Sequence, residues 1–115
     1  MPDRNKILIL ENDDFLRELL GNLLHKKGNY ILNGSSIERG VTNTKNQKIS
    51  QVILGTSCPD FNDKSSINYL KQNLDPQIKI FVINAGSKKL PYIDSKKQMF
   101  VSELSVSEII RTISG

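Results

Sequence analysis

Cysteine, histidine and tryptophan are almost missing from this chain. Cys58 and His25 are single, and there is no tryptophan. A lone cysteine excludes an internal disulfide, and one cysteine with one histidine excludes a structural zinc site. A single histidine also argues against a nucleophile–base pair, and no Gly-x-Ser-x-Gly elbow is present. No apolar run approaches the roughly 18–20 residues of a membrane helix. The apolar stretch after Met-Pro-Asp-Arg-Asn-Lys is too short for the core of a signal peptide. No run of five like charges exists, so there is no basic tail. What is present is 115 residues with 37% hydrophobic content. That supports one compact domain over residues 1–115, expected to be cytoplasmic. The net charge of +4 bears on partners, not on fold. The lysine pairs Lys26-Lys27, Lys88-Lys89 and Lys96-Lys97 read first as solvated surface.

Periodicity alternates along the chain. Lys6 to Leu10 is apolar at successive positions, as a strand covered on both faces requires. Leu16, Leu19, Leu20, Leu23 and Leu24 then recur at helical spacing. Asp13 or Asp14 caps that helix, and Lys26-Lys27-Gly28 ends it. Tyr30 to Leu32 reads as a second strand, closed by Asn33-Gly34, and Ser35 to about Lys45 as a weak helix. Gln51 to Leu54 is a third strand, followed by an irregular stretch from Gly55 to Asp60. Ile67, Tyr69 and Leu70 mark a third helix, ending before Asp75-Pro76. Ile78 to Ile83 is a fourth strand, closed by Asn84-Ala-Gly86. A fourth helix is expected between Ser87 and Gln98, but Pro91 and four lysines make it short or irregular. Met99 to Val101 is a fifth strand. Ser105-Val-Ser-Glu108 has the form of a capping box and opens a last helix through Ile109, Ile110 and Ile113. Five alternations with short apolar strands predict an α/β fold: a doubly wound parallel five-stranded sheet between two helical layers.

Ligands in such sheets bind outside the carboxyl ends of the strands. The candidate loops are therefore Glu11 to Asp14, Gly55 to Pro59, Asn84 to Gly86, and Ser102-Glu103. The first loop has no glycine and cannot cradle a nucleotide phosphate; it is acidic instead.

The run Ile7-Leu-Ile-Leu-Glu-Asn-Asp-Asp-Phe-Leu-Arg-Glu-Leu-Leu20 resembles the opening strand, acidic loop and first helix of the receiver domains of bacterial two-component response regulators. Val52-Ile-Leu54 with Pro59, Ile83-Asn-Ala85, and Phe100 through Ile113 resemble later segments of the same family. The resemblance covers the whole chain and implies a CheY-like, flavodoxin-like sheet of strand order 2-1-3-4-5. It also implies a site for phosphoryl transfer in a phosphorelay. That site comprises an acid pair holding Mg²⁺, an acceptor aspartate, a Thr or Ser, and a Lys.

At nearly every such position this chain departs from the family. Glu11 and Asn12 stand at the acid pair, and Gly55 at the phosphoacceptor. Asn84 stands at the Thr/Ser position, and Ser102 or Glu103 at the lysine, depending on register. Several acceptor oxygens gathered together need a cation beside them, so losing the aspartate also removes the need for Mg²⁺ and for the lysine. A residual cation would find only Glu11, Asp13 and backbone carbonyls, so no metal and no cofactor are expected. The resemblance therefore implies a pseudo-receiver, not an enzyme, that acts through phosphorylation-independent protein–protein contacts. Its expected partner surface comprises Lys88, Lys89, Tyr92, Lys96, Lys97 and Phe100. Compatible partners are a kinase, an output domain, another regulator or a second copy of the chain; neither membrane nor nucleic acid is expected.

The same residues carry plainer readings. Glu11, Asp13 and Asp14 read as helix caps or solvated acids. Thr56 and Ser57 read as loop hydroxyls rather than surrogate phosphoacceptors. Cys58 has nothing basic adjacent that would make it a redox switch. His25 sits at a helix end, where a cation suits the dipole. The alternative function is a small flavodoxin-like ligand-binding or enzymatic domain that uses the loops after strands one and three. A basic nucleic-acid binder is a weaker third, because no aromatic–basic interleaving supports it. The chain fits a freestanding regulator or one domain of a longer protein.

Overall fold

The computed structural model describes residues 5–94, 97–101 and 105–114. Among these residues nine elements follow one another: β1 (Lys6–Leu10), α1 (Asp14–Lys26), β2 (Tyr30–Gly34), α2 (Ile37–Asn43), β3 (Gln51–Gly55), α3 (Asp63–Asn73), β4 (Lys79–Asn84), β5 (Gln98–Phe100) and α4 (Val106–Ser114). The strands form one parallel sheet in the order β2-β1-β3-β4-β5.

Successive residues of a strand face opposite sides of the sheet, and here both sides are covered. Leu8, Leu10, Val52, Leu54, Ile80 and Val82 pack with Ile37 and Val41 of α2 and with Ile67 and Leu70 of α3. Ile7, Ile9, Ile53, Phe81, Ile83 and Met99 pack on the other side with Leu20 and Leu24 of α1 and with Ile109, Ile110 and Ile113 of α4. Leu8, Ile9, Leu10, Ile53 and Leu54 are wholly buried. This double cover explains why the strands are apolar at every central position rather than at alternate ones.

The helix ends follow local chemistry. Asp13 is the N-cap of α1, its Oδ1 accepting the Leu16 N–H at 2.9 Å, and Asp14 lies in the first turn. The left-handed turn after α1 falls on Gly28 (φ 93°), which has no Cβ to strain it. Ser36 caps α2 by accepting the Arg39 N–H at 3.2 Å. At α4 the expected capping box forms: Glu108 N–H donates to Ser105 Oγ at 3.3 Å, while Glu108 Oε1 accepts from the Ser105 backbone and hydroxyl.

The helix expected between Ser87 and Gln98 does not form among the described residues. From 85 to 94 the chain runs through bends and turns. Pro91 lacks the N–H that a helix interior needs, and Leu90 and Ile93 are its only large aliphatic anchors. β4 and β5 also lie one residue away from their expected spans, β4 closing at Asn84 and β5 at Phe100.

Candidate functional site

β1, β3 and β4 run in the same direction, so their carboxyl ends deliver Glu11, Gly55 and Asn84 to one edge of the sheet. Leu10 pairs with Leu54, Gly55 with Ile83, and Asn84 with Phe100. Residue 11 therefore leaves β1 beside the end of β3.

Glu11 is neither a cap nor a solvated acid; only 2% of it is exposed. Its carboxylate lies over Gly55. A Cβ added there would stand 2.8 Å from Glu11 Cδ and closer still to Oε1, a separation at which one group must move. The glutamate fits because residue 55 has no side chain. Its Oε2 accepts the Asp13 N–H at 3.0 Å and the hydroxyl of Ser57. Arg17 Nη1 donates to the Glu11 backbone carbonyl at 2.7 Å and Nη2 pairs with Asp14. Ser57 thus serves as a hydrogen-bond donor to a buried carboxylate, which needs such donors.

Thr56 acts as a clasp between loops. Its N–H donates to the Ile83 carbonyl at 3.0 Å, and its Oγ1 accepts the Ala85 N–H at 2.9 Å. Cys58 is buried. Its thiol is pushed up from 9.0 to about 12, first by burial, then by the negative charges of Glu11 and Asp60. Arg17 and the Asn12 backbone N–H pull the other way and do not prevail. Hence a disulfide reagent at pH 8 should attack native Cys58 about a thousandfold more slowly than in unfolded chain, in proportion to the thiolate present. Equal rates would contradict this burial. In the native state the proton stays on through the window from 9.0 to about 12, while the unfolded chain has lost it. The contribution of this group to stability is therefore complete below that window and lost as pH rises through it.

Asn84 does not face the Glu11 pocket. It is buried, and its amide staples the strand to the loop that follows. Nδ2 donates to the Lys88 carbonyl at 2.9 Å and to Gln98 Oε1 at 2.8 Å, while Oδ1 accepts the Gly86 N–H at 2.8 Å. Gln98 Oε1 also accepts the Leu90 N–H at 2.8 Å.

Asn12 is exposed, and the Asp13 carboxylate is spent on its cap. Among the described residues no group of three or more His, Cys, Asp or Glu side chains could hold a metal ion. The donor set does not fit Mg²⁺, which takes near-octahedral oxygen: its one buried carboxylate is turned into the gap above Gly55. Ser102, Glu103 and Lys96 lie outside the described residues. Lys88, Lys89 and Lys97 are exposed, Phe100 is half-buried, and Tyr92 is 60% exposed beneath Lys64, whose Nζ lies 5.3 Å from the ring centre. His25 is exposed in the last turn of α1.

Two side chains that shape this edge of the sheet escape a sequence reading. Asp60 caps α2 from another loop, its carboxylate accepting the Ile37 and Glu38 N–H groups at 2.9 and 3.0 Å. Gln98 is a buried amide at the head of β5. The only sequence signal for Gln98 is a polar residue directly before an apolar pair.

This parallel sheet, with α1 and α4 on one side and α2 and α3 on the other, is the CheY-like receiver fold. The structure superposes on the chemotaxis response regulator CheY4 of Vibrio cholerae with a TM-score of 0.80 over 97% of this chain and 98% of that one, at 10% identity. A response regulator from Thermotoga maritima aligns at 0.74, with 16% identity over 97% and 96%. The receiver domain of the hybrid histidine kinase CckA aligns at 0.72, with 15% identity over 96% of each chain. No family model and no curated protein matches the sequence. At these identities the likeness is one of fold. Among the described residues no helix is long and apolar enough to cross a membrane.

Proposed function

We propose that this chain is a pseudo-receiver: one receiver-like domain that signals by binding a protein partner, without phosphoryl transfer. The observation that carries this reading is the Glu11–Gly55 exchange. An acyl phosphate needs a carboxylate that is open to a donor and flanked by cations. Here the residue matched to the acceptor is a glycine, and the carboxylate beside it is buried, bonded to Ser57 and directed inward. Asn84, matched to the hydroxyl that reads the phosphate, is engaged with Lys88, Gly86 and Gln98 instead. The fold supports a place in two-component signalling, where the solved receivers belong. The loops after β1 and β3, which a flavodoxin-like ligand site would use, are tied together by the Ser57–Glu11 bond.

An amide NMR titration with Mg²⁺ and then beryllofluoride, a mimic of aspartyl phosphate, tests the reading. Glu11, Gly55 and Asn84 should not shift, and incubation with acetyl phosphate should give no phosphoryl adduct by intact mass. Saturable shifts confined to those three loops, or an adduct, would overturn it.

A further inference from the structure

On the α2–α3 side, no helix among the described residues covers β4. The segment from 85 to 94 covers that strand with Leu90 and Ile93, both only partly buried. Between this segment and α3 lies a groove of about 280 Å³. Its buried, apolar lining is Ile67, Ile78 and Ile80, and Tyr92 and Ile93 line it nearer the surface. Its rim is basic. Lys71 of α3 and Lys97 line it, and Lys64, one turn before Ile67 on the same helix, is drawn over the Tyr92 ring. Asp94 is the one carboxylate of the lining.

We infer that this groove is the docking site for an amphipathic helix of a partner protein that carries acidic residues beside its apolar stripe. The inference rests on the interaction reading above and names the partner's chemistry. Four features point to that occupant. The groove runs beside α3, in the layer where, among the described residues, no helix covers β4, so an added helix completes the layer. An apolar lining is how a groove reads the i, i+3, i+4, i+7 side chains of a helix. Lysines on the rim complement carboxylates on its flanks, in a chain of net charge +4, and steer the encounter. Tyr92 has the form of an interface anchor, an aromatic ring 60% exposed with a cation on its face.

The test is an amide NMR titration of the whole chain with a synthetic leucine–glutamate helical peptide. A leucine–lysine peptide of the same pattern and a single-stranded oligonucleotide serve as comparisons. Saturable shifts at Lys71, Ile80, Tyr92, Ile93 and Lys97 are expected with the glutamate peptide alone. Lys71→Glu with Lys97→Glu should weaken binding about tenfold or more, as should Tyr92→Ala, and all three side chains lie at the surface. Equal binding of the lysine peptide, shifts gathered elsewhere, preference for the oligonucleotide, or no shifts would each overturn the inference. Failure here leaves the beryllofluoride result standing, and a beryllofluoride response leaves the groove result standing, so the two readings fail separately.

Discussion

Gly55→Asp, which would set a second carboxylate beside that of Glu11, is expected to destabilise the chain by about 3 kcal/mol or more. The new Cβ meets the Glu11 carboxyl group, 2.8 Å from Cδ, so either side chain or strand must shift. Overpacking of this kind costs about 1–3 kcal/mol, and the second carboxylate also brings a like charge into a buried site. Glu11 cannot withdraw without losing Asp13 N–H and Ser57. Thermal melting should fall by about 10–20 °C for a domain of this size. The compensating test is the pair Glu11→Ala and Gly55→Asp. Once Glu11 is truncated, the aspartate gains space and can turn toward Ser57, so the double variant should be more stable than the sum of the singles by about 1–3 kcal/mol. If Gly55→Asp melts with the parent, Glu11 swings freely to solvent, and the account of this site is wrong.

The second large effect is expected at Asn84. Asn84→Thr exchanges the amide for a single hydroxyl and should cost about 2–3 kcal/mol. The amide makes three hydrogen bonds that a threonine hydroxyl cannot span, at roughly 1 kcal/mol each. Gln98 is left worse, because its Nε2 already has no partner and its Oε1 would keep only the Leu90 N–H. The loss should be local. Hydrogen exchange should speed up at Gly86 and Leu90, while amides of β1 and β3 change only with global stability. Unchanged exchange at those two amides would show that the loop is held by other contacts.

Both variants are expected to break contacts between segments far apart in the chain, which bears on what the sequence can disclose. Ile7 to Leu10 announces a doubly covered strand because burial on both faces demands an apolar residue at every position. The leucines of α1 announce one buried stripe, and Ser105 with Glu108 announces a cap closed within four residues. These signals are local. The direction of Glu11 is not: it depends on a glycine 44 positions later in the chain, and on the hydroxyl of Ser57, 46 positions later. Asp60 reaches α2 across 22 or 23 positions, and Asn84 meets Gln98 across 14. The residues themselves are legible in the sequence; the contacts they serve exist only once the strands are side by side.

β5 spans only Gln98 to Phe100 and sits at the margin of the sheet. A long bare margin offers a row of N–H and C=O groups to which any extended chain can add. Three residues offer almost none, and the Val101 N–H is turned inward to the Asn84 carbonyl at 3.1 Å. Strand-by-strand growth from this side, whether as dimer, fibril or peptide capture, has little to build on. Recognition at this end of the molecule is left to side chains, and so to partners selected by shape and charge rather than by any extended backbone.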